Sequence, residues 1–174
     1  MPYDAEWPRR FRLLAGGMRA ALGETALRID HIGSTSVPGL AAKPIIDMQI
    51  SVAAFEPLDA FRVPLESLGY VFRADNPERT KRYFREPPGE PRTHIHVRQR
   101  GSWAEQFALL FRDYLRSNVD EADKYAAVKR ALAEQYRADQ AAYTDAKDPY
   151  LWQLIYRADR WSQDVGWQLG PSDA

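Results

Sequence analysis

The sequence predicts an α+β fold, a β-sheet flanked by helices with a helical C-terminal part, in one domain over residues 1–165. Three observations predict it. Residues 25–100 carry most of the Pro and several short runs of β-branched and aromatic residues. Residues 103–160 contain one Pro and no Gly, and are rich in Ala, Leu, Tyr, Arg and Glu. The 174 residues are 45% hydrophobic, enough material for one sizeable core.

Each element has its own signal. Residues 7–22 read as a helix: Pro8 suits the first turn, and Phe11, Leu14 and Met18 recur on one face. Residues 27–32 read as a strand running into the turn Gly33-Ser34-Thr35-Ser36. In residues 45–52, Ile46, Met48, Ile50 and Val52 alternate with Asp47, Gln49 and Ser51, so the strand has one apolar and one polar face. A helix is expected over 55–68, then strands at 70–74, 81–86 and 93–98. The last two are separated by Pro87-Pro88-Gly89-Glu90-Pro91 and read as a hairpin. Ser102 with Glu105 three residues on is a capping-box pattern opening a helix to about 116. Further helices are expected from about 120 and over 149–161. Residues 166–174 are expected to fray.

Composition excludes several function classes. Lys plus Arg and Asp plus Glu each number 24, which argues against a dedicated nucleic-acid binder. No apolar run approaches a membrane span, and the acidic start Asp4-Ala5-Glu6 is unlike a secretory signal. The absence of Cys excludes disulfides, thiolate metal ligands and a cysteine nucleophile. The expectation is a cytoplasmic chain whose partner is a small molecule or nucleotide, not a nucleic acid or membrane.

The most informative segment is 29–52. A strand ends in a Gly-Ser turn with hydroxyls at Ser34, Thr35 and Ser36, and Asp47 follows on the polar face of the next strand. Gly33 and Ser34 would cradle a phosphate while Asp47 held a divalent cation. The same residues also read as a capped loop and an ordinary surface Asp, and spacing alone leaves both open. The stretch from Asp30 to Asp47 resembles the signature of the GrpB (UPF0157) family. So do Tyr3-Asp4 with Trp7-Pro8, Thr93-His94-Ile95-His96-Val97, Phe111-Arg112-Asp113-Tyr114-Leu115-Arg116, and Ala142-Tyr143 with Lys147.

The resemblance covers about residues 3–160 and implies a nucleotidyltransferase-like mixed β-sheet flanked by helices. In active members of that superfamily, a Gly-Ser turn precedes a strand bearing Asp-x-Asp or Asp-x-Glu, and a later strand adds a third carboxylate. These carboxylates hold two Mg²⁺ ions that activate a hydroxyl and stabilise the leaving pyrophosphate. Here Gly33, Ser34 and Asp47 match, Gln49 stands at the second carboxylate position, and the later strand offers His94 and His96 instead. Some members are fused to a dephospho-coenzyme A kinase domain.

By alternation, Asp47 and Gln49 share one strand face, and His94 and His96 share another. If those faces meet, Asp47, His94 and His96 form a metal site (Mg²⁺, Mn²⁺ or Zn²⁺), with Asp47 and His96 as catalytic candidates. His94 and His96 as half-buried sheet residues without chemistry is the competing reading. Phosphate contacts are expected from His31, Gly33, Ser34, Thr35, Ser36 and Lys43, although His31 reads equally as a loop buttress. Asp30 reads as a loop cap or a member of the polar cluster. Lys147 is a lesser candidate than Lys43, and Lys81, Tyr83 and Arg85 form a row facing a cleft or solvent. The functions in view are a metal-dependent enzyme related to nucleotidyltransferases and, alternatively, a non-catalytic ligand-binding or accessory module.

Overall fold

The computed structural model describes all 174 residues, Met1 to Ala174. The elements in chain order are α1 (Glu6–Leu22), β1 (Arg28–Ile32), β2 (Ile46–Val52), α2 (Asp59–Ser67), β3 (Val71–Phe72), β4 (Arg82–Arg85), β5 (Thr93–Gln99), α3 (Trp103–Ser117), α4 (Val119–Gln135) and α5 (Gln140–Val165). The strands form one mixed sheet in the order β1-β2-β5-β4-β3. The central pair β2 and β5 is parallel, and the other neighbours are antiparallel.

The alternation in β2 and β5 decides how the layers stack. Ile46, Met48, Ile50, Ile95 and Val97 point to one face and are buried against α1 and α2. From α1, Trp7, Phe11, Ala15, Met18 and Leu22 enter this core at helical spacing. Gly16 and Gly17 face open space, so they interrupt no packing. The opposite face carries Asp47, Gln49, Ser51, His94, His96 and Arg98. A second core forms among α3, α4, α5 and the 37–40 loop, from Val37, Leu40, Leu115, Tyr125, Leu154 and Ala158. The polar sheet face therefore lies between two apolar cores.

Three sequence expectations change. The last helix begins at Gln140, nine residues before its expected start at Pro149. Asp139 caps it through Ala142 N–H at 2.9 Å, and Pro149 lies on the exposed side of the helix. The capping box on α3 is half formed: Ser102 Oγ accepts from Glu105 N–H at 3.2 Å, but Glu105 Oε2 accepts from Gly101 N–H at 2.6 Å. Residues 170–174 do not fray. They run along the open edge of β1, where Ser172 Oγ accepts from Ile29 N–H, Asp173 Oδ2 accepts from His31 N–H, and Ala174 N–H donates to Ile29 O. An uncovered edge strand presents unpaired backbone groups, and this segment satisfies them.

An ionic network fixes α3 on the sheet. Asp30, fully buried, accepts from Arg28 through both carboxylate oxygens at 3.0 and 2.8 Å. Arg112, 4% exposed, meets Asp113 and Asp173 at 2.7 Å and Asp30 at 3.5 Å, and donates to His31 O. Asp30 is thus a structural ion-pair residue outside the cleft described next.

Candidate ligand and metal site

The in-register pairing of β2 with β5 sets Asp47 beside His94 and Gln49 beside His96. Asp47 Oδ1 lies 3.0 Å from His94 Nδ1 and 3.5 Å from His96 Nε2. Arg92 Nη2 lies 3.4 Å from His94 Nε2, on the side of the ring away from Asp47. Burial alone would raise the Asp47 carboxyl, but hydrogen bonds and charge from both imidazoles outweigh it and hold the group below the ordinary carboxylate range. Burial likewise pushes the His96 imidazole below its usual range, against the pull of Asp47. Tyr83 packs beside both rings, with centroid separations of 5.7 and 5.3 Å.

One oxygen and two nitrogens, all within 4.8 Å of one another, match the donor set of a first-row divalent ion. The separations of 3.0 and 3.5 Å are close to those between neighbouring ligands bound at about 2.1 Å. The residues therefore fit such an ion through Asp47, His94 and His96.

Gly33 allows this arrangement. Its φ of +69° with ψ of −174° is a backbone region for glycine, and a Cβ there would lie 2.6 Å from Asp47 Oδ2. Gly33→Ala is expected to lower stability by at least about 1–3 kcal/mol from backbone strain alone. Gly16→Ala, in open space on α1, should be neutral or stabilising by about 0.5–1 kcal/mol. Urea unfolding of both variants checks the contrast, and equal stabilities would refute the close approach.

Beside the triad opens a cleft of about 440 Å³, lined by Ser34, Lys43, Asp47, Arg92, His94, Tyr125, Lys129, Tyr143 and Lys147 among others. Lys43 Nζ donates to Gln140 Oε1 at 3.0 Å and lies 5.0 Å from the Tyr143 ring centroid. Lys129 Nζ donates to Ser34 Oγ at 2.7 Å and to Ala41 O at 3.1 Å, and sits over the Tyr125 ring. Burial, with help from Lys147 and Arg130, pulls the Lys129 ammonium down to about 8. Burial also lowers Lys147, which lies over the other aromatic, Tyr143.

Several expected contacts fall elsewhere. His31 is buried behind the loop, stacked on Phe11 at 4.7 Å, with Nε2 3.1 Å from Thr35 Oγ1. Thr35 donates its hydroxyl proton to Ile45 O, so Nε2–H of His31 is the donor to Thr35. Ser36 Oγ donates to Gly33 O at 2.6 Å. His31, Thr35 and Ser36 thus brace the loop, because a turn this short needs its own hydroxyls to satisfy its backbone, and Thr35 also lines the cleft. Gln49 is fully buried under α3 and donates to Glu105 O, so no side chain replaces the second carboxylate in the cleft. Lys81, just before β4, and Arg85, at its end, are paired with Glu78 and Glu86.

Sequence reasoning missed Lys129, Tyr125 and Arg92. The missed signal was a repeated Tyr-x-x-x-Lys spacing, Tyr125/Lys129 on α4 and Tyr143/Lys147 on α5, which stacks each ammonium on an aromatic one turn away.

The model of the family described as "GrpB protein" matches residues 1–157. The chain belongs to the GrpB family. A UPF0157 protein of Pseudomonas aeruginosa is 42% identical over 91% of this chain and 66% of its own length. One from Halalkalibacterium halodurans is 38% identical over 91% and 81%. A dephospho-CoA kinase of Mycolicibacterium paratuberculosis is 34% identical, but this chain spans only 47% of it. The crystal structure of the conserved protein GrpB from Enterococcus faecalis superposes with a TM-score of 0.82 at 33% identity, covering 91% of this chain and 95% of that one. Cid1 in complex with the UTP analogue UMPNPP matches with a TM-score of 0.56 at 15% identity, over 83% of this chain and 48% of that one. The GrpB fold is therefore nucleotidyltransferase-like. No helix in it is long and apolar enough to cross a membrane.

Proposed function

We propose that the cleft binds a phosphorylated small molecule through Ser34, Lys43, Lys129 and Lys147, next to one divalent metal held by Asp47, His94 and His96. One observation carries this reading: three lysines converge on a cleft where Lys43 and Lys129 have only neutral oxygen partners. Lysines crowded enough to depress one another are stabilised by an anion. Imidazole donors favour Zn²⁺ or Mn²⁺ over Mg²⁺. Such an ion would act as a Lewis acid toward a bound phosphoryl oxygen. His96, half-buried beside Asp47 with its imidazole held below the usual range by burial, would carry a proton when no metal occupies the triad. Two-metal nucleotidyl transfer is the weaker reading, because Gln49 points under α3 and is a poor ligand for a hard cation.

Isothermal titration with inorganic phosphate, with and without Zn²⁺, tests the proposal. Binding should be lost in Lys129→Met and Lys147→Met. Absence of phosphate binding in the unmodified protein under either condition rejects it.

The lysine contribution also has a pH signature. Sulfate keeps its two charges from pH 6 to 9.5, whereas Lys129, lowered to about 8, loses its proton across that range. Sulfate affinity is expected to hold up to about pH 7 and fall about tenfold or more by pH 9.5, the size of a lost charge-assisted hydrogen bond. Lys129→Arg should fall less steeply, because guanidinium stays charged. A flat profile in the unmodified protein would place the sulfate away from Lys129.

A further inference from the structure

A second hollow of about 500 Å³ adjoins the cleft and shares four of its walls, Ala42, Lys43, Lys129 and Tyr143. The rest of its lining is different in kind. Met1, Pro2, Tyr3, Gly39, Ala41, Ala126 and Ala133 make it mostly apolar, with Arg130 and the Met1 amine as further cations. No Asp, Glu, Asn, Gln, Ser or Thr side chain lines it, so the phenol hydroxyls of Tyr3 and Tyr143 are its only neutral polar side-chain groups.

The junction between the two spaces is chemically marked. The Lys129 ammonium, bridging Ser34 Oγ on one side and Ala41 O on the other, stands where a phosphate in the first space would meet whatever is attached to it. The floor of the second space is held in place as well. Ala42 N–H donates to Met1 O at 3.1 Å, and the Met1 amine donates to Ala42 O at 3.1 Å, a two-bond clasp that pins the segment bearing Pro2 and Tyr3 against the 39–42 loop. A space of this size suits a small organic group, and walls that are mostly apolar favour one that brings apolar surface to bury.

We infer that this second hollow is the subsite for the organic body of the ligand, and that the ligand class is a phosphate monoester with an apolar body, aliphatic or aromatic. The inference rests on the proposed phosphate reading of the neighbouring cleft and narrows it. The phosphate meets Lys43, Lys129 and Lys147, and the ester oxygen points past Lys129 into the alanine-lined space. Selectivity over inorganic phosphate comes from apolar area removed from water there.

Calorimetric titration with inorganic phosphate, hexyl phosphate and 1-naphthyl phosphate tests it. At least one ester is expected to bind ten-fold or more tightly than inorganic phosphate, and the better of the two identifies an aliphatic or a flat body. Ala133 is exposed on α4, away from Asp47 and Ser34, so a larger side chain there fills the hollow with little risk to folding. Ala133→Phe should remove the ester's advantage while leaving inorganic phosphate affinity within two-fold, and Ala133→Ser should retain it. If inorganic phosphate binds but neither ester binds more tightly, the subsite is refuted while the phosphate cleft stands. The same holds if Ala133→Phe keeps the full advantage. If no phosphate binds at all, the underlying cleft reading fails first.

Discussion

Replacing Asp47 by asparagine is expected to abolish metal binding and, with it, any metal-dependent gain in ligand affinity. Asp47 Oδ1 is the point on which His94 and His96 converge, at 3.0 and 3.5 Å, and it is the triad's anionic donor. Asparagine keeps the shape that packs against Gly33, so the fold should survive. What it loses is the charge that would hold a divalent cation between the two imidazole nitrogens. Changes in outer-shell partners alone weaken metal sites by about 10–100-fold, so loss of the anionic ligand should exceed about 100-fold. Thermal unfolding with Zn²⁺, Mn²⁺ or Mg²⁺ added singly reads this directly. A metal present at a hundred times its dissociation constant stabilises the native state by about 2.7 kcal/mol. The shift should be larger for Zn²⁺ or Mn²⁺ than for Mg²⁺ and absent in Asp47→Asn. An equal shift in both proteins would move the metal elsewhere.

The second large effect is on acid stability and comes from His31. Its imidazole is 3% exposed and stacked on Phe11. Burial first, then the positive charges of Arg116 and Arg112, lower it to about 3, only partly offset by Asp47. In the unfolded chain the same group titrates near 6.5. Above that value neither state carries the proton, and stability is complete. As the pH falls below 6.5, the unfolded state takes up a proton that the folded state refuses until about 3, so stability drops across that window. The contribution of this single group is on the order of 2.7 kcal/mol lost by pH 4.5, at about 1.4 kcal/mol per pH unit. His31→Gln, which keeps an N–H for Thr35 but has no titrating ring, should be less stable at pH 7 and show a shallower decline. Unfolding free energies at pH 7, 6, 5 and 4.5 separate the two proteins, and parallel slopes would show that His31 takes up its proton in the folded state.

The acid prediction and the metal prediction concern residues from one motif, and they illustrate how far a sequence pattern reaches. Residues from Asp30 to Asp47 read as a single functional block, yet the chain divides them. Ser34, Thr35, Lys43 and Asp47 line the cleft and Gly33 packs against Asp47, whereas Asp30, His31 and Ser36 hold the loop from behind. Both groups carry polar side chains suited to binding, so residue type alone does not separate a ligand contact from a brace. Direction does, and direction depends on a 3-10 turn at 34–36 braced by His31, whose ring stacks on Phe11 of a remote helix.

The same distinction holds across the fold. Local pattern determined the strands around Asp47 and His96, because a period of two with one apolar face is imposed by burial on a single side. It determined the first helix and the Ser102 start of α3 for equally local reasons, buried spacing and a side-chain cap. It did not determine which strands are neighbours. The parallel pairing of β2 with β5 joins residues 47 and 94 across a crossover containing α2, β3 and β4, and only that long-range register turns Asp47, His94 and His96 into one cluster.

Nor did it show that Lys129 and Tyr125, on α4, would roof the cleft, since an amphipathic helix exposes lysines wherever it meets solvent. The segment 170–174 makes the point most plainly. It is polar, short and rich in Gly and Pro, the composition of a loose tail, but the open edge of β1 supplies the hydrogen-bond partners that order it. Periodicity and caps are properties of a few consecutive residues and can be read from them. Register, roof and edge are set by the free energy of bringing distant segments together, and that is decided only by the folded whole.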